Sequence, residues 1–148
     1  MQGVIFIGLQ ASGKSSFFLE NFHAAYLRLN MDMLKTRHRE AILLNACIAA
    51  KQPVVIDNTN PTVKARAGYI DLFKQGQFHI SGYYFQSKIG ACLQRNKNRE
   101  GKERVPEVGI KGTYNRLELP SFQEGFDDLY YVSIEHNTFQ VTMWQNEI

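Results

Sequence analysis

Residues 4–16, "VIFIGLQASGKSS", constrain the fold more than any other part of this chain. An apolar, β-branched run is followed at once by Gly8-x4-Gly13-Lys14-Ser15, then by the helical pattern "FFLENFHAA". That order requires a buried strand delivering a glycine-bearing turn to a helix N-terminus. Backbone N–H groups of such a turn wrap a phosphate, helped by the positive helix end. Gly8, Ala11, Ser12, Gly13, Lys14, Ser15 and Ser16 are therefore the candidate nucleotide-binding residues. Lys14 would bridge the β- and γ-phosphates, and the Ser15 hydroxyl would ligate Mg²⁺. The ligand implied is ATP, or another NTP, with Mg²⁺. A chance match in a glycine-bearing turn is the plain alternative, and the flanking strand and helix argue against it.

Short β-branched runs then alternate with longer helical patterns. "AYLRLN" predicts a second strand, and residues 36–51 a helix with Ala41, Leu44 and Ile48 on one face. "QPVVIDN" predicts a third strand, and Asn60-Pro61 a helix start, with Asn as N-cap and the helix running to Gly76. "FHISGYYF" predicts a fourth strand, followed by helices over 88–99 and 107–117. "LYYVSI" predicts a fifth strand, and "TFQVTMW" a short antiparallel one. This alternation implies an α/β, P-loop NTPase-type three-layer sandwich. Its central sheet is mainly parallel, with about five strands and a small basic lid. The chain, 148 residues long, reads as one domain, 1–148. Ligands of such folds sit beyond the carboxyl ends of the strands.

Composition narrows the classes. A hydrophobic share of 44% beside 21% charged residues is that of a soluble globular domain. No apolar run is long enough for a membrane span, and no secretory leader is read. Cys47 and Cys92 lack metal-ligand spacing and read as buried, reduced thiols, so a cytoplasmic protein is expected. Residues 1–116 hold all 17 Lys and Arg against 8 Asp and Glu, a net of +9. Residues 117–148 hold 6 acids and no Lys or Arg, a net of −6. Such a basic body suits a polyanionic ligand, while a solvated, charge-mixed surface is the bland reading.

Three features beyond the loop carry chemistry. Asp57 ends the third strand, where a carboxylate can hold Mg²⁺ or touch an acceptor hydroxyl; helix capping is its plain alternative. Asp32, at the end of the second strand, is placed to accept a proton from an incoming hydroxyl, and equally to cap the following "MLK". "RNKNREGKER", Arg95 to Arg104, has five basic and two acidic residues. It reads either as a lid whose arginines meet phosphates or as a solvated helix end. A GTPase is set aside because "DNTN" has Asn60 where a glycine is needed, and large ring ATPases need more chain.

Taken in order, these motifs resemble the kinase domain of the 5′-hydroxyl polynucleotide kinases. "VVIDNTNPTVKARAGYI", with Arg66 and Tyr69, is similar to that family's Asp-Asn-Thr-Asn-Pro segment. "RNKNREG…VP" resembles its lid, and "PSFQEGF" its Pro and Glu-Gly-Phe region; the likeness spans about residues 4 to 132. The resemblance implies transfer of the ATP γ-phosphate to the 5′ end of DNA or RNA. It makes Asp32 the general base, Lys14 and Arg99 the catalytic cations, and Arg95 and Arg99 donor contacts. Asp32, Lys35, Arg37, Asp57, Asn58 and Asn60 are then the acceptor-side residues, and Ser15 and Asp57 the metal pair. Nucleic-acid 5′ ends are the expected substrate, with repair or ligation enzymes as partners and no membrane. The family's phosphatase domain has no counterpart in these residues.

Departures from the pattern are specific. Met31 precedes the base where an Arg is usual, and Lys35 stands where the phage enzyme has a substrate-phosphate arginine, with Arg37 and Arg39 nearby. Lysine offers a point charge rather than a fork. Gln10-Ala11 replaces a common Pro-Gly, so a different loop shape is expected there. Two rival readings stand beside this one: a P-loop kinase of a small-molecule hydroxyl, and an ATP-dependent nucleic-acid-binding module with little catalysis.

Overall fold

Strand β1 (Gln2–Ile7) lies at the centre of the sheet because both its faces are apolar. In the computed structural model, which describes residues 1–145, Ile5 and Ile7 join the core on one side of the sheet. Val4 and Phe6 join the core on the other. Residues 146–148, the end of the expected domain, lie outside the described residues. Period-two alternation with both faces covered is what makes a parallel strand read as one continuous hydrophobic run.

The chain continues through α1 (Lys14–Asn21), β2 (Leu27–Leu29), α2 (Met31–Leu34), α3 (Arg37–Ala50), β3 (Val54–Ile56) and α4 (Val63–Gln75). Then come β4 (His79–Phe85), α5 (Ile89–Lys97), α6 (Glu107–Arg116), β5 (Asp128–Glu135) and β6 (Thr138–Met143). The sheet runs β2-β3-β1-β4-β5-β6, with the first five parallel and β6 antiparallel to β5. The expected parallel α/β sandwich is therefore present, and its sixth strand is the antiparallel one expected from "TFQVTMW". Phe17, Phe18 and Phe22 cover one face together with Val55, Phe85 and Val132. Leu44 of α3 and Ile70 and Phe73 of α4 cover the other. Cys92 and Ile110 pack on Leu9 in a third cluster, which joins α5 and α6 under the loop.

β1 has β3 on one side and β4 on the other, so the chain order reverses there. A crevice opens at such a point, above the strand ends. Two helix starts differ from expectation. Thr62 caps α4, its side chain accepting from Ala65 N, while Asn60 sits in left-handed backbone at φ 44. Asn30, not Asp32, caps α2, its side chain accepting from Met33 N. In both cases the capping side chain is the one held in extended backbone, as an N-cap requires.

Both cysteines are buried and unpaired with each other, as expected, and burial raises both thiols above their ordinary range. No helix among the described residues is long and apolar enough to cross a membrane.

Candidate functional site

The turn after β1 is held from both neighbouring strands. Gly8 N donates to Thr59 O at 3.0 Å and Leu9 N to Ser87 Oγ at 3.1 Å. Gly13, just before α1, takes a left-handed φ of 101°. A Cβ there would come within 3.0 Å of Ile134 and Phe139, so the β5–β6 hairpin buttresses the turn and only glycine fits. Ala11 also takes left-handed backbone, φ 62°, in spite of its Cβ; an L residue there costs about 1–2 kcal/mol. Arg95 Nη1 donates to Ala11 O at 3.2 Å and so braces the strained position from α5.

Lys14 is buried beneath the turn. Its ammonium donates to Leu9 O at 2.6 Å, Gly8 O at 3.0 Å and Ser12 Oγ at 3.4 Å. Removal from water pulls its pKa down to about 8. Asp57 and Asp32 act in the opposite sense, and Arg99 adds to the lowering. Lys14 follows β1, Asp57 follows β3 and Asp32 follows β2, three neighbouring parallel strands, so these residues stand at the same end of the sheet.

Beside Lys14, Ser15 Oγ lies 3.4 Å from Asp57 Oδ2. Asp57 is 1% exposed, and the third member of this corner is Arg28 from β2. Arg28 Nε donates to Asp57 Oδ2 at 2.7 Å and Nη2 to Ser15 Oγ at 2.8 Å. A hydroxyl and a buried carboxylate side by side, already balanced by a cation, form an oxygen donor set suited to Mg²⁺. Sequence reading passed over Arg28; its only signal is a cation alternating with leucines in "LRL", which reads equally well as a solvated edge residue.

On the acceptor side, α2 presents Asp32 in its first turn with the carboxylate exposed. That helix is pinned at its start. Asn30 Nδ2 donates to Asp57 O at 2.7 Å, and Met31 N donates to Asn58 Oδ1 at 2.9 Å. Asn58 Nδ2 donates in turn to Glu40, a buried carboxylate that also accepts from Arg37 and from the Tyr69 hydroxyl. Burial and Glu40 push the Tyr69 phenol up to about 12, so it stays a donor. Glu40 therefore joins Asn58, Arg37 and Tyr69, a hub whose only trace in the sequence is its three-residue spacing from Arg37.

Asn58 and Asn60 spend their side chains on the protein itself. Asn60 is 4% exposed and donates to Phe6 O at 2.7 Å. Lys35, at the end of α2, is exposed in left-handed backbone, φ 72°. Arg37 is mostly exposed beyond its contacts to Glu40 and Tyr69, and Arg39 donates to Leu34 O.

The basic segment is an ordered loop. Asn96, 1% exposed, donates from Nδ2 to Val105 O at 2.7 Å and accepts from Val105 N at 3.0 Å. Its amide closes the loop like a backbone pair. Within the loop, Arg99 Nη1 donates to Glu103 O at 3.3 Å, and Gly101 supplies a left-handed turn at φ 60°.

A family model described as "AAA domain" matches residues 4–120. Among curated proteins, the bifunctional polynucleotide phosphatase/kinase of Schizosaccharomyces pombe is 28% identical over 130 residues, covering 85% of this chain and 32% of the relative. The chain thus spans about a third of the length of the curated relatives it matches. Two solved structures share the fold. Chaetomium thermophilum Kti12 in complex with ADP-AlF3 has a TM-score of 0.65 at 16% identity, covering 88% of each chain. A gluconokinase from Sinorhizobium meliloti 1021 has a TM-score of 0.65 at 17% identity, covering 89% of this chain and 82% of that one. The chain belongs to this AAA-domain family.

Proposed function

We propose that this chain is a polynucleotide 5′-hydroxyl kinase, moving the γ-phosphoryl group of ATP to the 5′ end of a nucleic acid. The observation that carries the proposal is that Lys14, the Ser15–Asp57 pair and the exposed Asp32 follow the carboxyl ends of three neighbouring strands, β1, β3 and β2. The identity to a protein named a polynucleotide phosphatase/kinase supports the choice of acceptor. Kti12, which shares the fold, was solved with ADP-AlF3, which supports a nucleotide at the turn.

Lys14 would leave the carbonyls of Gly8 and Leu9 and turn to the phosphates, exchanging neutral acceptors for charged ones. Ser15 and Asp57 would hold Mg²⁺, directly or through water, and Mg²⁺ when bound offsets charge on the phosphate oxygens. Asp32 would accept the proton of the 5′ hydroxyl as its oxygen bonds to the γ-phosphorus and the bond to the β-bridging oxygen breaks. Arg99 and Arg95, on the lid and its helix, would meet the charge that develops on the transferring group and on departing ADP. Lys35, Arg37 and Arg39 follow Asp32 at the end of α2 and the start of α3 and would hold strand phosphates.

The test is transfer from γ-labelled ATP to matched 5′-hydroxyl DNA and RNA oligonucleotides, with gluconate and other sugars as competing acceptors. Asp32→Asn should reduce turnover about 10²–10⁴-fold, the usual worth of a general base, with ADP binding unchanged. Transfer to a sugar and none to an oligonucleotide would overturn the acceptor. Full turnover by Asp32→Asn would overturn the base.

A further inference from the structure

We infer that Arg28 is a built-in cation of the metal corner, one that holds Ser15 and Asp57 in place until a divalent ion displaces it. The inference rests on the metal-pair reading above but not on the identity of the acceptor.

The geometry of Arg28 is that of a stand-in ion. Its Nε and Nη2 reach Asp57 Oδ2 at 2.7 Å and Ser15 Oγ at 2.8 Å, the two groups read as the metal pair. Its third nitrogen, Nη1, lies 3.3 Å from Met33 Sδ, and the guanidinium carbon lies 5.9 Å from the centre of the Phe18 ring. The Arg28 side chain is 26% exposed whereas that of Asp57 is 1% exposed. The cation can therefore withdraw to solvent, and the anion cannot follow it.

A buried carboxylate with no counter-charge is strongly unfavourable, so Asp57 needs a cation in every state of the protein. Arg28 satisfies that need without metal. It does so at the same oxygens a metal would use, because Ser15 Oγ now accepts from Arg28. To enter, a dication must recover the Ser15 oxygen from the guanidinium fork and share or take over Asp57. Two consequences follow from this exclusion. The metal-free corner is already shaped for metal, and metal affinity is set below that of the same pair with no arginine beside it.

Arg28 projects from the edge strand β2 toward α2, which carries both Met33 and Asp32. A displaced guanidinium has solvent open to it beside α2, the helix that carries Asp32, so metal entry would also change the charge near that helix.

The experiment is a thermal-unfolding titration with MgCl₂ on the full chain, with and without saturating ADP, comparing wild type, Arg28→Ala and Arg28→Lys. In EDTA, Arg28→Ala should melt below wild type, because Asp57 has lost its cation. With ADP present, its half-saturating Mg²⁺ should fall about tenfold, the worth of one charge-assisted hydrogen bond no longer to be broken. Its total Mg²⁺-induced stabilisation should exceed that of wild type. Arg28→Lys keeps a charge near Asp57 but has no fork to span both groups, so its midpoint should fall between the other two. If the alanine variant is not recovered folded, the lysine variant carries the test. An Mg²⁺ midpoint unchanged in the folded variants would overturn the inference and leave Arg28 a simple strut. ADP binding with no Mg²⁺ response in any of the three proteins would overturn the metal pair itself, and the inference with it. Failure of oligonucleotide phosphorylation alone bears only on the acceptor.

Discussion

Lys14 shows how a single residue serves two states. A buried ammonium on backbone carbonyls keeps the turn ordered, and its pKa of about 8, against an ordinary 10.5, records how poorly burial suits its charge. Because the folded value is the lower one, the unfolded chain binds this proton more tightly. The resulting penalty on stability is fully present below about pH 8 and is relieved as pH rises toward 10.5. Phosphate works the other way, since it favours the ammonium. Nucleotide binding should therefore take up protons between pH 8 and 10.5, and affinity should weaken by up to about tenfold per pH unit there. Calorimetry of ADP binding at pH 9, in two buffers of different ionisation enthalpy, measures the uptake directly. Equal heats in the two buffers would show that Lys14 keeps its charge in the free protein. The loop lysine was legible from spacing alone. Arg28 and Glu40 were not, because a cation on a three-residue edge strand and an acid on a helix reveal their partners only once the sheet is assembled.

At the level of elements, the sequence pattern delivered the strands and the long helices well, since parallel strands buried on both faces give unbroken apolar runs. The helix expected over 36–51 is α3, Arg37–Ala50, capped by Thr36. Short pieces were less legible. β2 keeps only Leu27–Leu29 of "AYLRLN", and α2 is a single turn that periodicity cannot detect. The basic segment after α5 falls between these cases. Its basic composition reads as a lid meeting phosphates or as a solvated helix end, but composition does not show that Asn96 ties it shut through both the C=O and the N–H of Val105. Asn96→Ala would leave both of those backbone groups short of a partner, at about 1–3 kcal/mol each. Loop opening should become at least about thirtyfold more frequent while the sheet stays intact. Trypsin cleavage after Lys97, Arg99, Lys102 or Arg104 should accelerate with no change in far-ultraviolet dichroism, and ATP affinity should fall as Arg99 loses its fixed position. Unchanged cleavage would assign closure of the loop to other contacts.

Over the whole molecule, the basic stretch to residue 116 and the acidic stretch after it are joined inside the protein by one buried pair. Arg66 of α4, 0% exposed, meets Glu124 through two nitrogens at 2.8 and 3.1 Å, and its third nitrogen donates to Asn60 O at 2.9 Å. Glu124 Oε2 also accepts from Ser121 N, closing the turn that leads into β5. Two motifs far apart in sequence, "DNTNPTVKAR" and "FQEGF", are thus halves of one cross-link. Their joint appearance in the resemblance therefore has a packing cause besides any catalytic one. Asn60 lies at the junction, with its carbonyl on Arg66 and its amide on Phe6 O, so the pair fixes the height of the segment just after Asp57. Removing one partner from such a pair strands the other in the interior, so Arg66→Leu should lower unfolding free energy by about 3–5 kcal/mol. Arg66→Leu with Glu124→Leu removes both charges and should recover a large part of that loss, with Asn60 O and Ser121 N left to account for the rest. Urea unfolding followed by tryptophan fluorescence measures both variants, since Trp144 packs against Tyr84 and Tyr131 in the same core as Ile70. A double variant no more stable than Arg66→Leu would mean that the contact to Asn60, rather than the ion pair, is what holds the two halves together.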